Sequence, residues 1–263
     1  MPTDRTDRTA CTACKMGKIL ATITGNLYLI LGSFVLSLLA IPLGRLSPRG
    51  ILGFWIMRIW SWSLLRASWL RLRVHYAPEL DPGASYVFLS NHQSLFDIPL
   101  LLATVPGPVR LVAKKSLFRI PLFGWALAAS GFIAVDRADR TAARQSFASA
   151  EKRLREGGSL LLFPEGTRAL DNRLLPFKRG GVLLAMRGGL PIVPVGIRGT
   201  RAIQPRGSRT IRPGTVEVRY GAPIEVAHYG IRRKSELIAE LRRQVAELSG
   251  TELADTPESP EAE

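Results

Sequence analysis

From Ile19 to Leu43 the chain runs 25 residues without a charged side chain, and from Ile51 to Leu72 a second apolar run is interrupted only by Arg58, Arg66 and Arg71. As a helix, the first stretch is long enough to cross a hydrocarbon core of about 30 Å. It is too long for the apolar region of a signal peptide, and no small-residue cleavage site follows it. The second stretch mixes Trp55, Trp60, Trp62 and Trp69 with its arginines, a composition suited to a membrane interface rather than the bilayer midplane. After a polar stretch over 1–18, residues 19–72 are therefore expected to form a two-helix membrane anchor. Either the first helix spans, or both helices form a shallow hairpin in one leaflet.

Beyond residue 72 the pattern changes. Short β-branched, aliphatic and aromatic runs near 72–76, 85–90, 109–113, 132–136, 159–163, 192–197 and 215–220 predict strands, and the segments 94–105, 116–129, 139–156, 178–187 and 235–248 predict helices. The last helix starts at Ser235, lines Leu237, Ile238, Leu241, Val245 and Leu248 along one stripe, and stops before Gly250. This alternation predicts an α/β domain over 73–249, with a mixed, largely parallel sheet flanked by helices. Residues 250–263 are acidic and proline-containing, and are expected to be disordered.

Charge adds a partner to this picture. The net charge is +15, and the last 14 residues hold five acids and no base, so the body is more basic still. A cation of this kind is drawn to nucleic acid or to an anionic leaflet, and the apolar N-terminal runs favour the leaflet. Cys11-Thr12-Ala13-Cys14 is a lone C-x-x-C with no second ligand pair, so no metal site is read from it. There is no P-loop, no G-x-G-x-x-G and no G-x-S-x-G nucleophile elbow, so neither a bound cofactor nor a serine acyl-enzyme is expected.

The chemistry concentrates in two segments. Asn91-His92-Gln93-Ser94-Leu95-Phe96-Asp97 supplies an imidazole and a carboxylate five residues apart, which on one continuous helix would sit roughly 140° from each other. They meet only if His92 lies in a loop and Asp97 in the first turn of the following helix. There the carboxylate would fix the imidazole tautomer, leaving the other nitrogen to take a proton from a hydroxyl. A competing explanation needs no chemistry, because Ser94 and Asp97 also form the S-x-x-D pattern of a helix capping box. His75 and His228 lack comparable neighbours and are expected to be structural or exposed.

Phe163-Pro164-Glu165-Gly166-Thr167-Arg168 follows the apolar run Ser159 to Leu162, so that proline ends a buried strand and Gly166 turns the chain. Arg168 then projects from the strand end, where a guanidinium suits phosphate oxygens. Its bland alternative is a surface ion pair with Glu165 or Asp171, worth about 0–1 kcal/mol. Lys114 and Lys115 follow a third apolar run, Asp136-Arg137 closes a fourth, and Ile192-Val193-Pro194-Val195 opens another. Open α/β sheets bind ligands beyond such strand ends.

The order N-H-x-S-x-x-D, A-K-K-S-L with I-P-x-x-G and D-R, F-P-E-G-T-R and V-P-V, spread over residues 91–199, resembles the four-block signature of glycerolipid acyltransferases. Within these it is most similar to the 1-acylglycerol-3-phosphate (lysophosphatidic acid) acyltransferase family. The resemblance implies transfer of an acyl group from acyl-CoA or acyl carrier protein to the sn-2 hydroxyl of 1-acylglycerol 3-phosphate. It makes His92 the general base with Asp97 its partner, and assigns the acceptor's phosphate to Arg168 and Lys114, with Lys115 and Arg137 as further candidates. Glu165, Gly166, Thr167 and Asn91 complete the implied substrate-binding set. The anchor is implied to sit on the cytoplasmic face of the inner membrane. Another acceptor, such as lyso-ornithine lipid or glycerol 3-phosphate, would use the same blocks. A basic membrane or nucleic-acid-binding module would explain the charge but leave His92, Asp97, Glu165 and Arg168 unexplained.

Overall fold

The computed structural model describes residues 4–136, 150–151, 154 and 158–255, with side chains from Lys15 onward except that of Ile231. Arg137, nearly all of the helix predicted over 139–156 and the side chains of Cys11 and Cys14 lie outside the described residues. Seven strands form one sheet: β1 (Leu70–Tyr76), β2 (Val87–Ser90), β3 (Val109–Lys114), β4 (Ile133–Val135), β5 (Ser159–Leu162), β7 (Ile192–Arg198) and β8 (Gly214–Tyr220). Their spatial order is β1-β8-β7-β2-β5-β3-β4, and every neighbouring pair is parallel except β7 with β8. The sheet is therefore mixed and largely parallel, as the alternation of runs predicts.

Period-two alternation in the central strands feeds two cores. Phe88, Leu161 and Val193 point to a layer built from α1 (Asp4–Leu46), α2 (Ile51–Ala67), α3 (Asp97–Thr104) and α4 (Phe123–Ala129). Val87, Leu89, Leu160 and Leu162 point to the opposite layer, built from α5 (Arg179–Gly188) and α7 (Lys234–Ser249), with the short α6 (Thr200–Ile203) between them in the chain. From β2 the chain crosses the first face through α3 to reach β3, and from β5 it crosses the second face through α5 to reach β7. Those opposed crossovers leave a crevice outside the carboxyl ends of β2 and β5, where an open α/β sheet places its ligand.

Several elements depart from the sequence expectation. α2 is not a free interfacial helix: Phe54, Met57, Trp60, Leu64 and Leu65 are buried in the core, and Trp60 donates its indole N–H to Ser33 Oγ on α1 at 3.0 Å. Arg58 caps the end of α3 through a 2.8 Å bond to Val105 O, so its charge serves the fold rather than a headgroup. Residues 70–72 belong to β1 rather than to the anchor. Among the described residues α1 alone is long and apolar enough to cross a membrane, over Lys15–Leu46, and only 17% of its most apolar window is buried. The helix predicted over 116–129 is split into a 3-10 turn, Lys115–Arg119, and α4, because Pro121 forces Ile120 into an extended conformation and Leu122 turns at φ 60°. At the C-terminus, Glu252–Leu253 (β9) pairs in parallel with Arg173–Leu174 (β6), so the first residues of the acidic tail are ordered by ladder bonds that its composition does not reveal.

The second layer tolerates little slack. A Cβ on Gly196 of β7 would lie 2.3 Å from Leu248 C and 2.4 Å from Ser249 N, so α7 rests directly on the strand backbone. Gly196→Ala is expected to cost about 1–3 kcal/mol by forcing that helix outward, read as a lowered urea midpoint with an unchanged slope. An unchanged midpoint would show that α7 can shift freely.

Candidate active site

β2 ends at Ser90, and the next residue fixes the strand end to its neighbour. Asn91 accepts Ile197 N–H at 2.8 Å and donates to Ile197 O at 3.0 Å, extending the β2–β7 ladder through a side chain. The chain then leaves the sheet as a tight loop closed by Asp97. Its Oδ2 accepts Gln93 N–H at 2.7 Å, Ser94 N–H at 2.8 Å and the His92 ring nitrogen Nδ1 at 2.8 Å. The capping arrangement and the histidine partnership are thus made by one oxygen. Ser94 Oγ accepts Phe96 N–H at 3.2 Å and donates to Gln204 O at 2.7 Å.

His92 is held on its other sides by β5 and its extension. Its ring stacks on Phe163, with centroids 4.0 Å apart and an interplanar angle of 19°. Its backbone N–H donates to Glu165 Oε1 at 2.6 Å and its carbonyl accepts Ala169 N–H at 2.8 Å. The side chain is only 10% exposed, and among the described residues Nε2 meets no hydrogen-bond partner. With Nδ1–H committed to Asp97, Nε2 carries the lone pair, which is the arrangement a proton acceptor requires.

Glu165 is buried and spans two chain segments, accepting His92 N–H through Oε1 and Leu175 N–H at 3.0 Å through Oε2. Burial pushes its pKa up, the two N–H donors pull it down, Asp97 pushes it up and Arg242 pulls it down, for a net value of about 7. Gly166 follows at φ 73°, a conformation that suits glycine, and a Cβ there would meet Lys178 Cε at 2.8 Å.

The turn sends Thr167 to the surface and leaves Arg168 half-buried beside the histidine loop. Burial lowers the pKa of Arg168 and the charge of Arg206 lowers it further, while Asp97 raises it. Neither alternative ion pair forms. Glu165 is turned to backbone N–H groups, and Asp171 pairs with Arg173 at 2.8 Å.

The remaining sequence candidates lie further out. Lys114 is exposed at the end of β3, two strands from β2 in the sheet order, roughly 9–10 Å at the usual strand spacing. Lys115 faces Asp136 at 3.5 Å, so its charge is shared with a carboxylate at the end of β4. His75 pairs with Glu217 at 3.0 Å and is well exposed, and His228 is exposed, both away from the site. Among the described residues no group of three or more His, Cys, Asp or Glu is arranged to hold a metal ion. A recess of about 310 Å³ lies at the amino ends of β2, β3 and β5, lined in part by Ser85, Arg110 and Ser159, at the far end of the sheet from His92.

Sequence reasoning overlooked three contributors. Phe163 was read only as part of a strand end. Gln204 and Arg206 belong to the connection between β7 and β8, where Arg201, Arg206, Arg209 and Arg212 crowd into 12 residues, the one signal that marks it. Arg206 Nη1 donates to Arg168 O at 3.1 Å and lies 3.4 Å from Thr167 Oγ1.

Residues 71–198, which include every one of these loop anchors up to β7, match the Acyltransferase family. The chain is 33% identical to a 1-acyl-sn-glycerol-3-phosphate acyltransferase of Salmonella typhimurium over 69% of its own length and 78% of that protein's. It belongs to the 1-acyl-sn-glycerol-3-phosphate acyltransferase family. Relatives from Brassica napus (37% identical, 61% of this chain) and Cocos nucifera (30% identical, 81% of this chain) carry the same description, and the chain spans only 45% and 66% of their respective lengths. The fold is that of the crystal structure of the 1-acyl-sn-glycerophosphate (LPA) acyltransferase PlsC from Thermotoga maritima, with a TM-score of 0.75 at 24% identity, covering 89% of this chain and 97% of that one.

Glu165 gives the site a pH signature. The folded chain keeps a proton on this carboxyl that the unfolded chain releases near pH 4.5, so folding stability is greatest below that value and falls as pH rises through about 7. The fall is expected to reach a few kcal/mol at most, since one pKa unit is about 1.36 kcal/mol. Urea titrations at pH 5 and pH 8 should show this decline in the wild type and a flatter response in Glu165→Gln. Parallel pH responses in the two proteins would contradict it.

Proposed function

We propose that the protein transfers an acyl group from a thioester, acyl-CoA or acyl carrier protein, to the sn-2 hydroxyl of 1-acylglycerol 3-phosphate, producing phosphatidic acid. The observation that supports this best is the juxtaposition at one sheet edge of His92, tautomer-fixed by Asp97, with Arg168, which has no ion pair among the described residues. His92 Nε2 takes the hydroxyl proton as the alkoxide oxygen attacks the thioester carbonyl. The C–S bond then breaks, and the departing thiolate receives the proton back from the imidazolium. No covalent acyl-enzyme is needed.

The remaining groups divide binding from chemistry. Arg168, with Lys114 and, further out, Lys115, holds the acceptor's phosphate, and Arg137 is a further candidate for the same role. Phe163 and Glu165 keep the imidazole from tilting. Asn91, Gly166 and Thr167 shape the loops on either side of the acceptor.

α1 supplies the means of reaching a lipid acceptor. Ile19, Ile23, Leu27, Ile30, Phe34 and Leu38 are all about half or more exposed and recur at helical spacing, so they form a continuous apolar stripe. We read this stripe, flanked by Trp55 and Trp62 of α2, as an anchor that holds the catalytic edge against the cytoplasmic face of the cell membrane.

Purified protein given lysophosphatidate and acyl-CoA or acyl carrier protein should form phosphatidate. His92→Ala is expected to reduce kcat roughly 10²- to 10⁴-fold, whereas Arg168→Ala is expected to raise the acceptor KM by about 10- to 100-fold, the range for losing a hydrogen bond to a charged group. Free fatty acid appearing without acceptor, or near-normal turnover in His92→Ala, would defeat the proposal. A double substitution Ile30→Glu, Phe34→Glu should cut co-flotation with anionic vesicles at least about tenfold, given about 1.5–3 kcal/mol per buried apolar side chain. Equal flotation of the variant and the wild type would remove α1 as the anchor.

A further inference from the structure

The turn Thr167–Ala169 lies directly against His92, through the bond from Ala169 N–H to His92 O. It carries one arginine by sequence and receives a second by tertiary contact. Arg206 reaches it from the connection between β7 and β8, donating to Arg168 O at 3.1 Å with Thr167 Oγ1 at 3.4 Å. Among the described residues neither guanidinium has a carboxylate partner. The nearby acids are committed elsewhere: Asp97 to three N–H donors, Glu165 to two and Asp171 to Arg173. Two like charges on one turn, with no carboxylate ion-paired to either among the described residues, repel each other.

The second arginine is also held in place. At one end of its loop Ser94 Oγ donates to Gln204 O at 2.7 Å, tying it to the His92 loop itself. At the other end α1 grips it: Thr22 Oγ1 accepts Ile211 N–H at 3.0 Å, and Asn26 Nδ2 donates to Arg209 O at 3.0 Å. The loop is thus pinned between the candidate catalytic loop and the apolar helix. A long surface side chain with no role would not need such a mount.

We propose that Arg206 is a second phosphate-binding and specificity-determining residue, forming with Arg168 a two-guanidinium clamp that selects a dianionic phosphate monoester over uncharged or phosphodiester headgroups. The proposal rests on the acyl-acceptor reading above and adds a residue from outside the segment that matches the family. A monoester offers three terminal oxygens and close to two negative charges, enough to accept from both planar forks. A phosphodiester offers two oxygens and one charge, and an uncharged glycerol headgroup offers none.

The test uses the whole 263-residue chain in neutral detergent micelles with no acyl donor, so that binding is read without turnover. The probes are 1-oleoylglycerol 3-phosphate and 1-oleoylglycerol, measured by titration calorimetry against wild type, Arg206→Ala and Arg206→Lys. Binding of the phosphate-bearing lipid is expected to weaken by about 10- to 100-fold in Arg206→Ala and to be partly restored by Arg206→Lys, while binding of 1-oleoylglycerol stays the same. Equal affinity of wild type and Arg206→Ala for the phosphate-bearing lipid overturns the clamp. So does an equal loss for both lipids, which would make Arg206 a support for its loop. An acyl-transfer assay run in parallel separates the two ideas. Arginine-dependent binding without transfer leaves the clamp standing and removes the acyltransferase reading, whereas transfer with an Arg206-independent acceptor KM removes the clamp alone.

Discussion

One carboxylate oxygen organises the working edge of this molecule. Asp97 Oδ2 accepts two successive backbone N–H groups and the Nδ1–H of His92, all within 2.8 Å. These three bonds close the loop after β2, start α3 and choose which imidazole nitrogen keeps its lone pair. A loop that had to be held by separate groups for each purpose would have more freedom at the ring. Here the orientation of the imidazole and the beginning of the helix are the same structural event, and both are shielded from water because Asp97 is fully buried.

Around that point the sheet brings together segments far apart in the chain. Opposed crossovers over the two faces open a crevice at the ends of β2 and β5, and the F-P-E-G-T-R turn folds over it from β5. Glu165 is the joint between them, bonded to His92 on one side and to Leu175 on the other. Leu175 directly follows β6, which pairs with β9, so the C-terminal end of the described chain braces the back of the same loop. Positive charge then accumulates on the open side through Arg168 and Arg206, with Lys114 further along the edge. The layering explains why these cations stay unneutralised beside two carboxylates: Asp97 and Glu165 are turned inward to N–H donors, while Arg168 and Arg206 lie toward the open side.

The N-terminal helices show how one segment can serve two environments. α2 looks interfacial by composition, yet half of its surface is core and Arg58 is spent on Val105 O. α1 packs along α2, buries Ala21 and Ala40 in the same core, and leaves a broad apolar stripe outside. The same helix grips the Arg206 loop through Thr22 and Asn26. One helix therefore carries the exposed apolar stripe and also holds the loop that brings Arg206 beside Arg168.

The sequence determined the element order, the α/β class and the pairing of His92 with Asp97. Each of these follows from local periodicity or from a spacing that only one local geometry can satisfy. Sequence also offered the Ser94–Asp97 capping pattern as a competing explanation, and spacing alone could not say that one oxygen serves both contacts. The tertiary structure decided which acids were free to pair with Arg168, that Trp60 and Arg58 belong to the core, that residues after Gly250 form a strand, and that Arg206 arrives beside Arg168. Those facts depend on contacts between residues tens of positions apart. Such contacts are set by which faces of the sheet the crossovers cover, and no local pattern along the chain encodes that.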